Sequence, residues 1–154
     1  MAKFVVSGSV QEVRSKVDSL VSGTNEDKVW AANMLADFKW ENIPLMAKQE
    51  AKAALRNTLY SSKSAKVKVA CFRALEKVAS NELTPSVKVV YLGALKRVCA
   101  SGATADMSFK TVVDYYNEIK EYESDDNPAV VSMARTNSKF VKEIIDSMRN
   151  RMDA

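Results

Sequence analysis

The sequence predicts an all-α protein of about seven helices arranged as antiparallel hairpins. Apolar residues recur at intervals of three and four and rarely alternate, which is the spacing of amphipathic helices. Only four glycines and three prolines occur, and this scarcity disfavours a turn-rich β protein. With 154 residues, 47% of them apolar and 27% charged, we expect one helical domain over 1–154, with an N-terminal arm over 1–8 and a helical array over 9–150.

Two helices are expected to follow the N-terminal arm. Ser9 and the Glu three residues later have the spacing of a capping box, which starts helix 1 over about 10–22. Gly23 is expected to end that helix in the left-handed conformation. A second capping signal over 24–27 starts helix 2, which is expected to reach about residue 39. The residues of helix 1 that we expect to face inward are Val10, Val13, Val17, Leu20 and Val21.

Each later helix is preceded by a start signal. Pro44 suits the first turn of helix 3, and Ser61-Ser62 break the chain before helix 4. Thr84-Pro85 and Asn127-Pro128 each place a polar cap before a proline at the first helical position, and Asp106 is expected to cap helix 6. The expected ranges of helices 3 to 7 are about 44–60, 64–80, 85–100, 107–123 and 128–150.

Helices 4 and 5 nearly repeat each other. The pattern Val67-Lys68-Val69, Ala74-Leu75, Val78 returns 20 residues later as Val87-Lys88-Val89, Ala94-Leu95, Val98. Forty residues before Lys68-Val69 and Leu75, the sequence has Lys28-Val29 and Leu35. A helix with its turn therefore occupies about 20 residues, and a helical hairpin occupies about 40. Self-similarity at this period is typical of stacked helical hairpins.

The repeated residues resemble those of HEAT or armadillo repeats. The set Val67, Lys68, Cys71, Ala74 and Leu75 is similar to the second helix of such a repeat, and 126–130 is similar to the turn that enters it. The resemblance spans roughly 24–145, with departures at Tyr91, where a small residue is usual, and at Gln49, where an apolar one is.

This resemblance implies a right-handed α-solenoid whose extended groove serves as a scaffold or adaptor. Some HEAT-like proteins hold DNA in that groove, among them a family of DNA glycosylases, but we find no residue-level match to the site of those enzymes. The same helical spacing also fits a compact bundle in which all helices face one core.

The positive charge of the chain is concentrated in its middle. Residues 48–97 carry eleven basic and three acidic residues, whereas 102–128 carry two basic and seven acidic ones. Lys48, Lys52 and Arg56 recur every fourth residue along helix 3, and a 40-residue shift would set Lys48 beside Lys88 and Arg56 beside Lys96. The residues of this candidate basic face are Lys48, Lys52, Arg56, Lys66, Arg73, Lys77, Lys88, Lys96 and Arg97.

The basic face has two functional interpretations and one structural interpretation. It suits an acidic protein surface, or it suits the phosphate backbone of a nucleic acid. The face has no interleaved aromatic residues, and Lys outnumbers Arg in it, which weakens the nucleic-acid interpretation. The structural interpretation is a solvated face, in which Lys68 and Lys88 pair with acids of a neighbouring turn.

An acidic segment with tyrosines forms a second candidate surface. Its residues are Tyr115, Tyr122, Glu118 and Glu121. The alternative is an exposed helix end and loop, and the segment lacks the Gly and the terminal Glu of a calcium-binding EF-hand. A head-to-tail contact of this segment with the basic middle of a second copy is the hypothesis for self-association.

The residue types that most enzymes need are missing. The sequence has no histidine, its two cysteines lie 28 residues apart, and its four glycines form no nucleotide-binding motif. We interpret Cys71 and Cys99 as buried apolar residues in a reducing compartment. We therefore expect no enzyme, no cofactor and no metal. We also expect no membrane partner, since the N-terminal apolar run is too short for a signal peptide and no stretch reaches the ~20 apolar residues of a membrane span.

The sequence thus favours a non-catalytic protein-interaction module that acts as an adaptor, an inhibitor or an assembly factor. The alternative is a nucleic-acid-associated protein that contacts the phosphate backbone through helices 3–5. A cytoplasmic location is expected, or the interior of the host cell if the source is viral.

Overall fold

The computed structural model is helical almost throughout. It describes the backbone of residues 2–102 and 107–153, and the side chains of residues 10–101 and 107–153. Within these ranges no strand occurs, and the expected seven helices are present, which confirms the all-α fold class. The helices are α1 (Ala2–Ser22), α2 (Asn25–Ala36), α3 (Leu45–Ser61), α4 (Ala65–Val78), α5 (Pro85–Gly102), α6 (Phe109–Glu121) and α7 (Pro128–Asp153).

The contacts within the chain divide it into two compact units. Unit 1 comprises Met1–Val87 and unit 2 comprises Lys88–Ala154. Helix α5 begins in unit 1 and continues through unit 2. The expectation of a single domain over 1–154 stays a prediction.

In unit 1, alternate helices lie side by side. Helix α1 packs against α2 and α3, and α4 packs against the same two helices. Arg14 Nε lies 3.4 Å from Glu50 Oε2, and the Thr58 hydroxyl donates to the Leu20 carbonyl at 3.4 Å. From the first of these contacts to the second, the residue number rises on both helices, so α1 and α3 run parallel. Alternate helices have this relation in stacked hairpins.

Unit 2 has the same relation between α5 and α7. The Asn137 side-chain amide donates to the Leu92 carbonyl at 3.0 Å, and Lys96 Nζ lies 4.6 Å from the centre of the Phe140 ring. From the first contact to the second, the residue number rises on both helices, so α5 and α7 run parallel over this stretch. Helix α6 packs against α7.

The stripe predicted for helix 1 faces the core of unit 1 only in part. Val13 and Leu20 are fully buried, and Val10 and Val17 are half-buried. The prediction for Val21 is wrong, because its side chain is 71% exposed. Leu20 and its direct neighbour point about 100° apart around the helix axis, so only one of the two can face the core at the end of α1.

Three of the predicted start signals are confirmed. The Thr24 hydroxyl accepts the amide of Asp27 at 3.1 Å while the Asp27 carboxylate accepts the amide of Thr24, which is a complete capping box. The Thr84 hydroxyl accepts the amide three residues on at 3.3 Å, just before α5. The Asn127 side chain accepts two amides of the first turn of α7. These bonds satisfy amides that a helix start leaves without partners.

Three other expectations about helix ends are wrong. Helix α1 begins at Ala2, so residues 2–8 of the expected arm are helical. This segment contains no proline, and a helix already in progress needs no cap at residue 9. Helix α2 ends at Ala36 rather than near residue 39. In its last turn, the carbonyl of Leu35 accepts a hydrogen bond from the indole N–H of Trp40 at 2.8 Å. Pro44 precedes the first residue of α3 instead of lying in its first turn.

Two further signals act differently from what we expected. The cap of α6 is Ser108, whose hydroxyl accepts the amide of Thr111 at 3.2 Å; the expected cap, Asp106, lies outside the described residues. Among the described glycines none has a positive φ, so the left-handed prediction for Gly23 is wrong. A Cβ at Gly23 would lie 2.5 Å from the Ser19 carbonyl oxygen, so crowding requires the glycine there.

Candidate protein-binding surface

Two of the three basic residues of α3 lie beside one carboxylate. Glu82, in the short turn after α4, lies 3.3 Å from Lys52 Nζ and 4.0 Å from an Arg56 terminal nitrogen. The Lys52 side chain is only 14% exposed, and Lys48 is half-buried. Because Glu82 offsets part of the charge of Lys52 and Arg56, α3 presents a weaker positive surface than the spacing in the sequence suggests.

The basic residues of α4 divide into exposed cations and a helix cap. Lys66, Arg73 and Lys77 are exposed. Lys68 is half-buried, and its ammonium donates to the carbonyl of Leu59 at 2.6 Å at the end of α3. A cation at the C-terminus of a helix is favoured by the helix dipole, so Lys68 has a structural role.

Two of the predicted cations of α5 make contacts within unit 2. Lys88 Nζ lies 2.7 Å from Asp125 Oδ2 in the turn before α7, which confirms that Lys88 pairs with an acid of a neighbouring turn. The hydrogen bond from Lys88, followed by the backbone amide of Asn127, lowers the pKa of Asp125. Lys96 lies over the Phe140 ring.

The predicted basic face therefore falls into two groups. Six of its residues belong to unit 1, namely Lys48, Lys52, Arg56, Lys66, Arg73 and Lys77, and three to unit 2, namely Lys88, Lys96 and the exposed Arg97. The expected neighbours, Lys48 with Lys88 and Arg56 with Lys96, join residues of different units and stay a prediction.

The acidic segment is largely engaged within unit 2. Glu118 accepts a hydrogen bond from the hydroxyl of Tyr91, a side chain with no solvent exposure. Tyr122 packs edge-on against the same ring, with 6.4 Å between ring centres. Tyr115 is half-buried, and Glu121 is exposed. Internal contacts of this kind leave less of the segment available to a second copy than the sequence suggested.

An exposed tryptophan marks a surface that the sequence analysis missed. The Trp30 side chain is 53% exposed, and Lys16 Nζ lies 4.4 Å from the centre of its ring. Trp30 lines a mainly apolar groove of about 390 Å³ between the first three turns of α2 and the start of α4. We call this feature the Trp30 groove; it is lined by Asn25, Glu26, Val29, Trp30, Asn33, Ser64 and Lys66.

Helix α2 is apolar on two sides. Ala31, Ala32 and Leu35 are fully buried in unit 1, while Trp30 and Met34 are exposed one turn apart on another side. A surface helix normally has one apolar stripe, and a helix that is apolar all round is normally buried all round. A signal was present in the sequence, because Trp30 does not fall on the three- and four-residue spacing of Val29, Ala32 and Ala36, which are expected to face inward in helix 2.

The two cysteines are buried free thiols. Burial raises the pKa of Cys71 to about 12 and that of Cys99 to about 11, so both thiols are protonated at neutral pH. In residues 2–102 and 107–153, no three Cys, Asp or Glu side chains converge as a metal site would require. Of the helices that the structure describes, none is both long enough and apolar enough to cross a membrane.

Comparisons with protein-family models, with curated proteins and with solved structures found no match to this chain. The resemblance to HEAT or armadillo repeats stays a prediction.

Proposed function

We propose that this protein is a non-catalytic protein-interaction module and that the Trp30 groove is its principal binding surface. Under this proposal it acts as an adaptor, an inhibitor or an assembly factor. The observation that carries the proposal is the exposure of Trp30 beside an apolar groove.

The residue type and the shape both support binding. Tryptophan is among the residues most often found at the energetic centre of protein interfaces, since it removes a large apolar area from water. The groove volume of about 390 Å³ lies at the small end of the roughly 300–1,000 Å³ range of ligand pockets. Large apolar side chains of a partner are well suited to a groove of this size.

The folded unit does not need Trp30 at its surface. The buried side of α2 is formed by other residues, so replacing this half-exposed ring by a polar side chain would improve the solvation of the unit alone. A partner that covers Trp30 and Met34 supplies the missing apolar contact for the second side of α2.

The test compares the full chain with two of its variants in one binding experiment. Partners are captured from lysate of the source cells on the immobilised protein, identified by mass spectrometry and produced in pure form, and their Kd is measured. Trp30→Ala should weaken the Kd by about 30-fold or more, as expected for a hot spot of about 2 kcal/mol. Leu45→Ala removes an apolar side chain that is 69% exposed and lies outside the groove, and it should leave the Kd unchanged.

Equal binding of wild type and Trp30→Ala to the purified partner would refute the role of the groove. Far-UV circular dichroism and thermal unfolding of each variant check that the helices are retained, which we expect because neither side chain is buried in the core.

The nucleic-acid alternative is supported by the exposure of Lys66, Arg73 and Lys77 on α4. In that case duplex or single-stranded nucleic acid should bind at low salt, with log Kd rising steeply with log salt concentration. Charge reversal at these three positions should then reduce both the affinity and the salt slope. A chain that binds no nucleic acid even at low salt would exclude this alternative.

A further inference from the structure

We infer that the partner segment that occupies the Trp30 groove is acidic and carries an aromatic or large aliphatic side chain next to a carboxylate. This inference rests on the proposed function and adds the chemistry of the ligand. The charged residues around the apolar floor of the Trp30 groove support it, and all of these residues belong to unit 1.

Two cations and one helix N-terminus lie at the exposed ring and its groove. Lys16 Nζ lies over the Trp30 ring from α1, and Lys66, in the first turn of α4, lines the groove together with Trp30. Ser64 caps α4 and also lines the groove, so the positive end of that helix dipole lies there. Glu26 and Lys66 are the two charged lining residues, and their charges offset each other. The positive excess at the groove therefore comes from Lys16 and from the N-terminus of α4.

Apolar and electrostatic features lie close enough for one short segment to use both. An apolar side chain that enters the groove would pack against Val29 and Trp30. A carboxylate one or two residues away would meet Lys66, while Asn25 and Asn33 offer amide groups to the peptide backbone. Complementary charge adds selectivity and speed of association to the apolar contact.

The observations favour a peptide over a nucleic acid at this site. Binding of single-stranded nucleic acid combines a positive path for the backbone with several aromatic rings on which bases stack. The groove has a single aromatic lining residue, Trp30. A second copy of this chain is also disfavoured, because the tyrosines and Glu118 of its acidic segment make contacts within their own unit.

A random dodecapeptide phage library tests the inference without a known partner. Selection is carried out on the full-length protein, and clones that also bind Trp30→Ala are removed. The remaining peptides should be enriched in an aromatic or large aliphatic residue next to Asp or Glu. Synthetic versions of the best peptides are then measured by fluorescence anisotropy.

Matched charge variants show whether Lys66 forms an ion pair with the acidic residue of the peptide. Lys66→Glu should weaken the binding of these peptides by about three- to tenfold, which is the effect of turning an exposed ion pair into a repulsion. Lys77→Glu makes the same charge change on the same helix about 16 Å away and should leave the Kd within twofold. Replacing the acid of the peptide by its amide should remove the difference between Lys66→Glu and wild type.

The possible results separate the inference from the proposed function. Trp30-dependent peptides without an acidic bias, or with equal loss in both lysine variants, overturn the inference and leave the proposed function standing. A library that yields no Trp30-dependent peptide overturns both. A labelled oligothymidine that displaces the selected peptides from the groove would overturn the peptide assignment in favour of a nucleic acid.

Discussion

Replacing glycine by alanine should have opposite effects at two positions of this chain. Gly23 lies between α1 and α2, and Gly93 lies within α5. A Cβ at Gly23 would approach the Ser19 carbonyl oxygen to 2.5 Å and the Asp27 Cβ to 2.7 Å. At Gly93 no described atom lies within 4 Å of the added Cβ. The same change therefore meets a crowded site in unit 1 and an open one in unit 2.

The expected magnitudes come from the contacts that must move. The amide of Gly23 donates to the Ser19 carbonyl at 2.9 Å, and weakening such a bond costs about 0.5–1.5 kcal/mol. Displacing Asp27 disturbs the Thr24 capping box, at about 1 kcal/mol. Against this, alanine restricts the unfolded chain and stabilises by about 0.4–1 kcal/mol. We expect Gly23→Ala to lower the free energy of unfolding by about 1–2 kcal/mol, and Gly93→Ala to raise it by about 0.5–1 kcal/mol.

Urea unfolding followed by circular dichroism at 222 nm measures both changes, and a third variant identifies the cause. If Gly23 were left-handed, asparagine would be tolerated better than alanine, because it adopts that conformation more readily. If crowding is the cause, Gly23→Asn should destabilise at least as much as Gly23→Ala. A stabilising Gly23→Ala, or an asparagine variant close to wild type, would refute the reasoning.

The Asp125 ion pair, the thiols and the cap of α6 each lead to a further prediction. Asp125→Asn should lower the free energy of unfolding by about 1–2 kcal/mol at neutral pH, because it loses a charge-assisted hydrogen bond in a partly exposed pair. Since Lys88 lowers the pKa of Asp125, the difference should be complete above about pH 5 and disappear as the pH falls through the lowered pKa, in urea titrations. Native Cys71 and Cys99 should react far more slowly with a thiol reagent at about pH 8 than in denaturant, since burial raises their pKa to about 12 and about 11. Ser108→Ala should lower stability by about 1 kcal/mol in thermal unfolding, because α6 loses its cap.

Matched controls are available for these predictions. Asp126→Asn makes the same charge change at an exposed neighbour, and an equal loss in both variants would contradict the role of the ion pair. Rapid labelling of the native thiols would contradict their burial. Ser132→Ala changes an exposed serine of α7, and a loss as large as that of Ser108→Ala would show that the cap contributes nothing.

The local features of the fold could be predicted because they depend on residues close in sequence. Helical hydrogen bonds and caps join residues three or four apart, so Thr24, Thr84 and Asn127 mark helix starts without knowledge of the rest of the chain. The apolar spacing gave the number of helices and most of their bounds for the same reason. Helix ends were predicted less well. Gly23 and Trp40 contact residues only four or five positions away, but through a close approach and a side-chain hydrogen bond that apolar spacing does not reveal.

The partners of the charged and aromatic side chains were decided by tertiary structure. Glu82 lies between Lys52 and Arg56 only because the turn after α4 returns to α3, and Lys88 meets Asp125 across 37 residues of sequence. The spacing of apolar residues predicts that a side chain lies outside the buried stripe of its helix, but it does not predict whether a distant helix covers that side chain. The sequence by itself thus determined the all-α class, the order of the helices and the position of the charges. Helix packing alone decided which cations are paired and that Trp30 remains exposed beside a groove, because both depend on distances between segments far apart in the chain.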